Sequence, residues 1–207
     1  MIALIDYGAG NLTSVRKALS ALGADYETPA APAELDRATG IIVPGVGHFA
    51  ATAALDEVWR AAIVRRVGTG VPLFGICLGM QWLFEGSDEA PELPGLGLLA
   101  GRCARLHGDE GHRLKVPHVG WNRLDPPRSS RLLSGISDGA QVYFTHSYAA
   151  PVTPDCVAVT THGEPFSAAV ERDQVFGVQF HPEKSSDAGL QIISNFLHVV
   201  EAHHRVS

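Results

Sequence analysis

Cysteine, histidine and glutamate are the residue types that together can turn a thiol into a nucleophile, and this sequence offers one such set. Cys77 stands in Val71-Pro72-Leu73-Phe74-Gly75-Ile76-Cys77-Leu78-Gly79-Met80-Gln81-Trp82-Leu83-Phe84-Glu85. The apolar run from Val71 to Ile76 predicts a buried strand, and the spacing from Leu78 to Glu85 predicts a helix with an apolar side. Cys77 falls at the junction. Gly75 and Gly79, two residues to either side, are what a tight strand-to-helix turn requires where backbones come too close for side chains, so the segment reads as a nucleophile elbow. Unpaired N–H groups at the start of the helix would favour thiolate and could hold an oxyanion. A cysteine between two glycines is also the setting of a small buried hydrophobe, so the chemistry needs a base from elsewhere. Val175-Phe176-Gly177-Val178-Gln179-Phe180-His181-Pro182-Glu183-Lys184 supplies one: an apolar strand ending in a histidine, with a carboxylate two residues on. A base needs a third group to fix its tautomer, and Cys77, His181 and Glu183 fill the three roles.

The elements that would position these residues begin with a strand at residues 2 to 5. Asn11 then serves as N-cap for a helix carrying Leu12, Val15, Leu19 and Leu22 on one side and stopped by Gly23. Gly8-Ala9-Gly10 lacks the third glycine of a dinucleotide fingerprint, since Thr13 stands there. A weak strand from Asp25 to Thr28, a short helix opened by Pro32 and the β-branched strand Gly40 to Val43 follow. The latter ends in Pro44-Gly45-Val46-Gly47-His48-Phe49, whose glycines bring bare N–H groups to the end of the sheet where open α/β folds bind ligands; an ordinary turn is the competing reading. Leu55, Val58, Trp59, Ala62, Ile63 and Val67 share a helix face, with Gly68 as the stop. The alternation of strand and helix up to about residue 85 predicts an α/β fold: an open, mixed, largely parallel sheet with helices on both faces. Shorter strands are expected at Leu98 to Leu106, Arg113 to Pro117, Val142 to Ser147, Val157 to Thr161 and Ala168 to Glu171, extending that sheet. A helix from Gly189 to Ala202 follows, with His203 and His204 in a frayed tail.

At 207 residues the chain fits one domain, 1–207. Its net charge of −6 argues against nucleic acid as a ligand. Charged residues make up 18%, against about 25% in soluble proteins, which a large core or a permanently covered face would equally explain. Three cysteines without metal-ligand spacing point to reduced thiols, hence to the cytoplasm, and neither a signal peptide nor a membrane span is expected. No metal and no cofactor are expected.

Gly75-Ile76-Cys77-Leu78-Gly79-Met80-Gln81 together with Phe180-His181-Pro182-Glu183 resembles the triad, or class I, glutamine amidotransferases, over nearly the whole chain. Three further stretches narrow the resemblance: Ile5-Asp6-Tyr7-Gly8-Ala9-Gly10-Asn11-Leu12, Pro117-His118-Val119-Gly120-Trp121-Asn122 and Tyr143-Phe144-Thr145-His146-Ser147-Tyr148. They are similar to the branch whose glutaminase feeds ammonia to a (β/α)8-barrel cyclase subunit making imidazole glycerol phosphate and aminoimidazole carboxamide ribonucleotide in histidine biosynthesis. The resemblance implies glutamine as substrate, the backbone of Val46 and Leu78 as oxyanion hole, and Gly47, Gln81, Glu89, Ser147 and Tyr148 around the substrate. Gln81 lies one helical turn past Cys77, on the same face. Glu89 reads equally as a solvated loop carboxylate. A partner interface is implied near Trp121, Asn122, Tyr143 and Lys184, although Trp121 is equally a packed core indole and Lys184 an ordinary surface lysine. The glycines around Val46 lower the cost of a peptide rotation, which implies a hole blocked by a carbonyl until the partner binds its own ligand. The rivals are glutaminases for pyridoxal phosphate, anthranilate or guanylate synthesis, a free-standing Cys-His hydrolase such as a γ-glutamyl peptidase, and a non-catalytic interaction subunit.

Overall fold

A computed structural model of the chain describes residues 1–10, 12–108, 114–125 and 128–205. Strand β1 (Ile2–Leu4) leads to α1 (Leu12–Ala21), which buries Leu12, Val15, Ala18 and Leu19, a helical stripe. Gly23 ends it in the left-handed region at φ 68, and Ala24 N–H returns to the Leu19 carbonyl. The expected cap at Asn11 lies outside the described residues. Next come β2 (Tyr26–Glu27), a 3-10 turn at Pro32–Arg37, β3 (Gly40–Gly45), a second 3-10 turn at Phe49–Ala54 and α2 (Glu57–Gly68). Asp56 caps α2 by accepting from the Val58 and Trp59 N–H groups, both at 3.0 Å. Val58 consequently sits in the first turn facing outward, 63% exposed, and Gly68 is the last helical residue rather than the stop.

β4 (Leu73–Cys77) runs directly into α3 (Leu78–Leu83), which is shorter than the expected helix to Glu85 because Phe84 turns to extended backbone. The remaining strands are β5 (Gly86–Ser87), β6 (Arg102–Arg105), β7 (His118–Arg123), β8 (Gln141–His146), β9 (Tyr148–Ala149), β10 (Cys156–His162), β11 (Glu164–Arg172) and β12 (Val175–Val178). A 3-10 turn at Pro182–Lys184 precedes α4 (Ser186–His204), which extends through His203 and His204 instead of fraying before them.

Seven strands form the main sheet in the order β10-β11-β12-β4-β3-β1-β2. β2, β1, β3, β4 and β12 are parallel neighbours, while β11 and β10 add on antiparallel. This is the largely parallel α/β sheet expected. Alternation along its strands divides two cores: Ile2, Leu4, Ile42, Phe74 and Ile76 pack with α1 and α4, whereas Ala3, Ile5, Ile41, Val43 and Leu73 pack with α2 and α3. Both faces are covered, as a parallel sheet requires.

The middle of the chain departs from the expectation that every strand would extend this sheet. β5, β6 and β9 form a separate three-stranded sheet, and β7 and β8 a separate antiparallel pair. Residues 114–117 are not a strand, and Arg113 lies outside the described residues. β7, which has no continuous apolar run, forms because every one of its residues finds a partner on β8, from His118↔His146 to Arg123↔Gln141. Val142 and Phe144 of β8 close the core on the α1 and α4 side.

Candidate active site

The parallel strands β3, β4 and β12 lie side by side, with Gly45 opposite Cys77 and Val178 opposite Ile76. Their C-terminal ends therefore bring Gly45, Cys77 and the segment from Gln179 to His181 to one edge. Cys77 is the residue before α3 and has φ 54, a strained value for a residue with a side chain. Two close approaches impose it. A Cβ on Gly75 would come within 2.7 Å of Gly79 and Met80 backbone atoms, and one on Gly79 would overlap the Val43 carbonyl oxygen. The expected glycine roles are met by named atoms. Leu78 opens α3, so its N–H has no acceptor within its own helix. With six residues α3 has little macrodipole, and that free N–H is its contribution.

His181 follows β12 and is 1% exposed. Its Nδ1 lies 2.8 Å from Glu183 Oε1. Its Nε2 is buried without an acceptor in ordinary hydrogen-bond geometry. Burial opposes a charge on this imidazole, but the Cys77 sulfur and the Glu183 carboxylate outweigh it and push His181 up to about 10. Cys77, His181 and Glu183 are thus electrostatically joined. Three backbone and hydroxyl bonds hold the base: His181 N–H to the Tyr143 carbonyl at 2.8 Å, Tyr143 N–H to Ser185 Oγ at 2.9 Å, and Ser185 Oγ to the His181 carbonyl at 2.6 Å.

A cavity of about 270 Å³ opens beside Cys77, lined by Gly47, Leu78, Gln81, Glu89, Pro117 and the stretch from Thr145 to Tyr148. All five residues expected around the substrate, Gly47, Gln81, Glu89, Ser147 and Tyr148, line it. The volume is below the ~300–1,000 Å³ of sites for drug-sized ligands and suits a small metabolite. Gln81 spends its amide protons on the Tyr148 carbonyl at 2.8 Å and Gln179 Oε1 at 3.1 Å, leaving its carbonyl oxygen as an acceptor for a ligand ammonium. Glu89 is no free loop carboxylate: Oε2 accepts from Phe49 N–H at 2.7 Å. A larger cavity, about 560 Å³, lies apart from Cys77 and is bordered by Arg131, Ser134, Gln174, Asn195, His198 and His203.

Val46 behaves differently from Leu78. Its N–H donates to the Ala9 carbonyl at 3.3 Å, so in this conformation it gives the oxyanion hole no donor. The interface candidates also divide. Trp121 is 52% exposed, its ring edge against Tyr143, and Lys184 Nζ sits 6.0 Å from the Tyr143 ring centre, so the packed-indole alternative does not hold. Asn122, one step along the strand, faces inward to His118.

Gln179 went unread in the sequence. It is fully buried, and its Nε2 lies 3.7 Å from Cys77 Sγ. The available signal is a polar residue in the otherwise apolar run that leads to His181. Tyr7 is likewise drawn in: its hydroxyl is buried without a hydrogen-bond partner, and a Cβ on Gly45 would overlap it. Burial, with the Cys77 charge, pushes the Tyr7 phenol up. Among the described residues no group of three or more His, Cys, Asp and Glu side chains is arranged to hold a metal, and no helix is long and apolar enough to cross a membrane.

Residues 3–200 match the family model described as glutamine amidotransferase class-I. The chain is 49% identical over 200 residues to the imidazole glycerol phosphate synthase subunit HisH of Desulfitobacterium hafniense (strain Y51), covering 95% of this chain and 93% of that protein. The chain belongs to the class-I glutamine amidotransferases, in the HisH branch. Its similarity to HisH of Thermococcus kodakarensis is 44% over 202 residues, 95% of this chain and 98% of that one. HisH of Moorella thermoacetica is 48% identical over 199 residues, covering 94% and 93%. Among solved structures, a crystal structure of a glutamine amidotransferase superposes with a TM-score of 0.74 at 20% identity, covering 97% and 98% of the two chains. The structure of PurLQS from Thermotoga maritima gives 0.70 at 16% identity, covering 95% and 97%. These distant likenesses bear on the class I amidotransferase fold alone.

Proposed function

We propose that this chain, as a single domain over 1–207, is the glutaminase subunit of imidazole glycerol phosphate synthase in histidine biosynthesis, acting in the cytoplasm. The observation that carries the reading is the elbow cysteine beside His181, with Glu183 on Nδ1, opening onto the small cavity that Gln81 and Glu89 line. Cys77 Sγ attacks the side-chain amide carbon of glutamine, and the oxyanion is held by the N–H of Leu78 and, once its peptide turns, of Val46. His181 delivers a proton to the departing ammonia, leaving a thioester on Cys77. Water activated by His181 then releases glutamate and the free thiol, while Glu183 keeps the imidazole in the useful tautomer.

The ammonia goes to a (β/α)8-barrel cyclase subunit, forming a heterodimer that yields imidazole glycerol phosphate and aminoimidazole carboxamide ribonucleotide. Support for a docking face comes from the β7–β8 pair, where Val119 is 57% and Trp121 52% exposed beside Tyr143 and Lys184. Large apolar side chains standing in water are what an interface core uses. Tyr143 bonds directly to the His181 segment, so this face adjoins the triad. The Val46 N–H must leave Ala9 before the hole is complete, which makes the isolated subunit a poor glutaminase.

The test is glutamate release from glutamine by the chain alone, with the cyclase, and with the cyclase plus its nucleotide ligand. Strong stimulation, abolished by Cys77→Ala, is expected. Full turnover of the isolated chain, indifferent to the cyclase, would instead assign the triad to a free hydrolase.

A further inference from the structure

Two buried histidines lie between the exposed hairpin and the cavity, and the triad chemistry uses neither. His118 on β7 and His146 on β8 face each other across the ladder, with Nδ1 of the first 3.0 Å from Nε2 of the second. Their tautomers follow from the outer ends of the chain of bonds. His146 Nδ1 is 2.9 Å from the Tyr148 carbonyl oxygen, which can only accept, so the proton sits on Nδ1 and Nε2 carries a lone pair. That lone pair accepts from His118 Nδ1–H.

His118 Nε2 is then an acceptor, and the group beside it is the Asn122 amide nitrogen at 3.3 Å, a donor. The amide's orientation is fixed independently, because Nδ2 also donates to the Thr161 carbonyl at 3.1 Å and Oδ1 accepts from Arg123 N–H at 2.9 Å. Every donor meets an acceptor only when both rings are neutral. Burial, aided by His162 stacked at 4.1 Å on His118 and by His181 near His146, holds His118 to about 4 and His146 to about 3. At the far end, the Tyr148 carbonyl also receives the Gln81 amide, whose second proton goes to Gln179, the neighbour of Cys77.

We infer that His118 and His146 are positioning residues: a one-directional hydrogen-bond relay that fixes the Tyr148 carbonyl, and through it the Gln81 and Gln179 amides, in the arrangement that receives glutamine. The relay starts at Asn122, on the same strand as the exposed Trp121, so it ties the set of the cavity to the set of the hairpin. This rests on the glutaminase reading for its readout, but the tautomers do not depend on it.

The experiment uses the complex with the cyclase. His146→Phe keeps a ring among Phe144 and Phe166 but removes both hydrogen bonds. Taking one of its two donors from the Tyr148 carbonyl, and its acceptor from His118 Nδ1–H, raises the glutamine KM about tenfold, with kcat changed less than about threefold. His146→Asn, whose amide nitrogen takes the place of Nδ1, recovers part of the loss. A packing role would lower the active fraction, and with it kcat, while the folded molecules kept their KM. A folded His146→Phe with wild-type KM therefore overturns the inference. Should that variant not fold, nitrogen-15 NMR of the wild-type imidazoles decides: both rings must be Nδ1–H tautomers, and an Nε2–H tautomer or protonation of either ring near its ordinary value of about 6.5 overturns it. Absence of glutamate release in the wild-type control would count against the glutaminase reading, leaving the tautomer result to stand by itself.

Discussion

The elbow and the hairpin meet at one cavity, yet they are held in place by different forces. Around Cys77 the geometry is steric: apolar strands buried on both faces, and two glycines whose missing Cβ atoms let α3 lie against β3 and β4. Around His118, Tyr143 and His146 it is polar: imidazoles, an amide, a hydroxyl and carbonyls joined by hydrogen bonds. Close packing fails abruptly when an atom is added, whereas hydrogen bonds can be exchanged at modest cost. Cys77 is thus set by close packing, and His181 and the cavity wall by hydrogen bonds to the part that adjoins the exposed Trp121.

If that contrast is right, the largest loss comes from one methyl group at the elbow. Gly79→Ala must displace the Val43 carbonyl, and we expect a cost above about 4 kcal/mol, with most of the chain unfolded or aggregated on expression. A soluble Gly79→Ala with an ordinary urea midpoint would show that the elbow yields more than its packing implies. Trp121→Ala should separate binding from folding. Cyclase affinity falls by about 2 kcal/mol or more in a titration, while the urea midpoint of the free subunit moves by less than about 0.5 kcal/mol equivalent.

Ser185→Ala removes the hydroxyl between Tyr143 and His181, and is expected to cost about 1–2 kcal/mol in urea unfolding with a severalfold fall in kcat. An unchanged kcat would mean that the His181 to Tyr143 backbone bond suffices by itself. The remaining effect is graded with pH. His118 and His146 start from about 6.5 in the unfolded chain and are held to about 4 and about 3 in the fold, so between these values the unfolded state binds more protons. Stability due to this pair is undiminished above about 6.5 and falls progressively as pH drops toward about 4. Urea midpoints along a pH series check this, and His118→Phe should flatten the slope.

The same contrast explains what was legible beforehand. The elbow, the parallel sheet, the helix faces and the Cys77, His181 and Glu183 set could be read because burial on two faces writes itself as apolar runs and period, and because glycine marks close approach. The spacing of Val58 fits the apolar face, but the Asp56 cap starts the helix in a way that turns it outward. β7 and the separate pairing of the middle strands leave no trace in the sequence, because short polar strands carry no mark of which neighbour they will pair with. Trp121 stayed open between core and surface for a related reason: an indole fits both, and only the pleat of β7 assigns it to the side away from Asn122.

The amino-acid sequence by itself determined the fold class, the turn that presents Cys77 and the pairing of His181 with Glu183, since these depend on residue type and near spacing. Tertiary structure alone decided that the Val46 N–H is committed to Ala9, that Gln179 stands beside the sulfur and that two histidines link Asn122 to Tyr148. The contacts of Val46 with Ala9, Gln179 with Cys77 and His118 with His146 join residues 28 or more apart in the chain, a separation that local pattern does not encode.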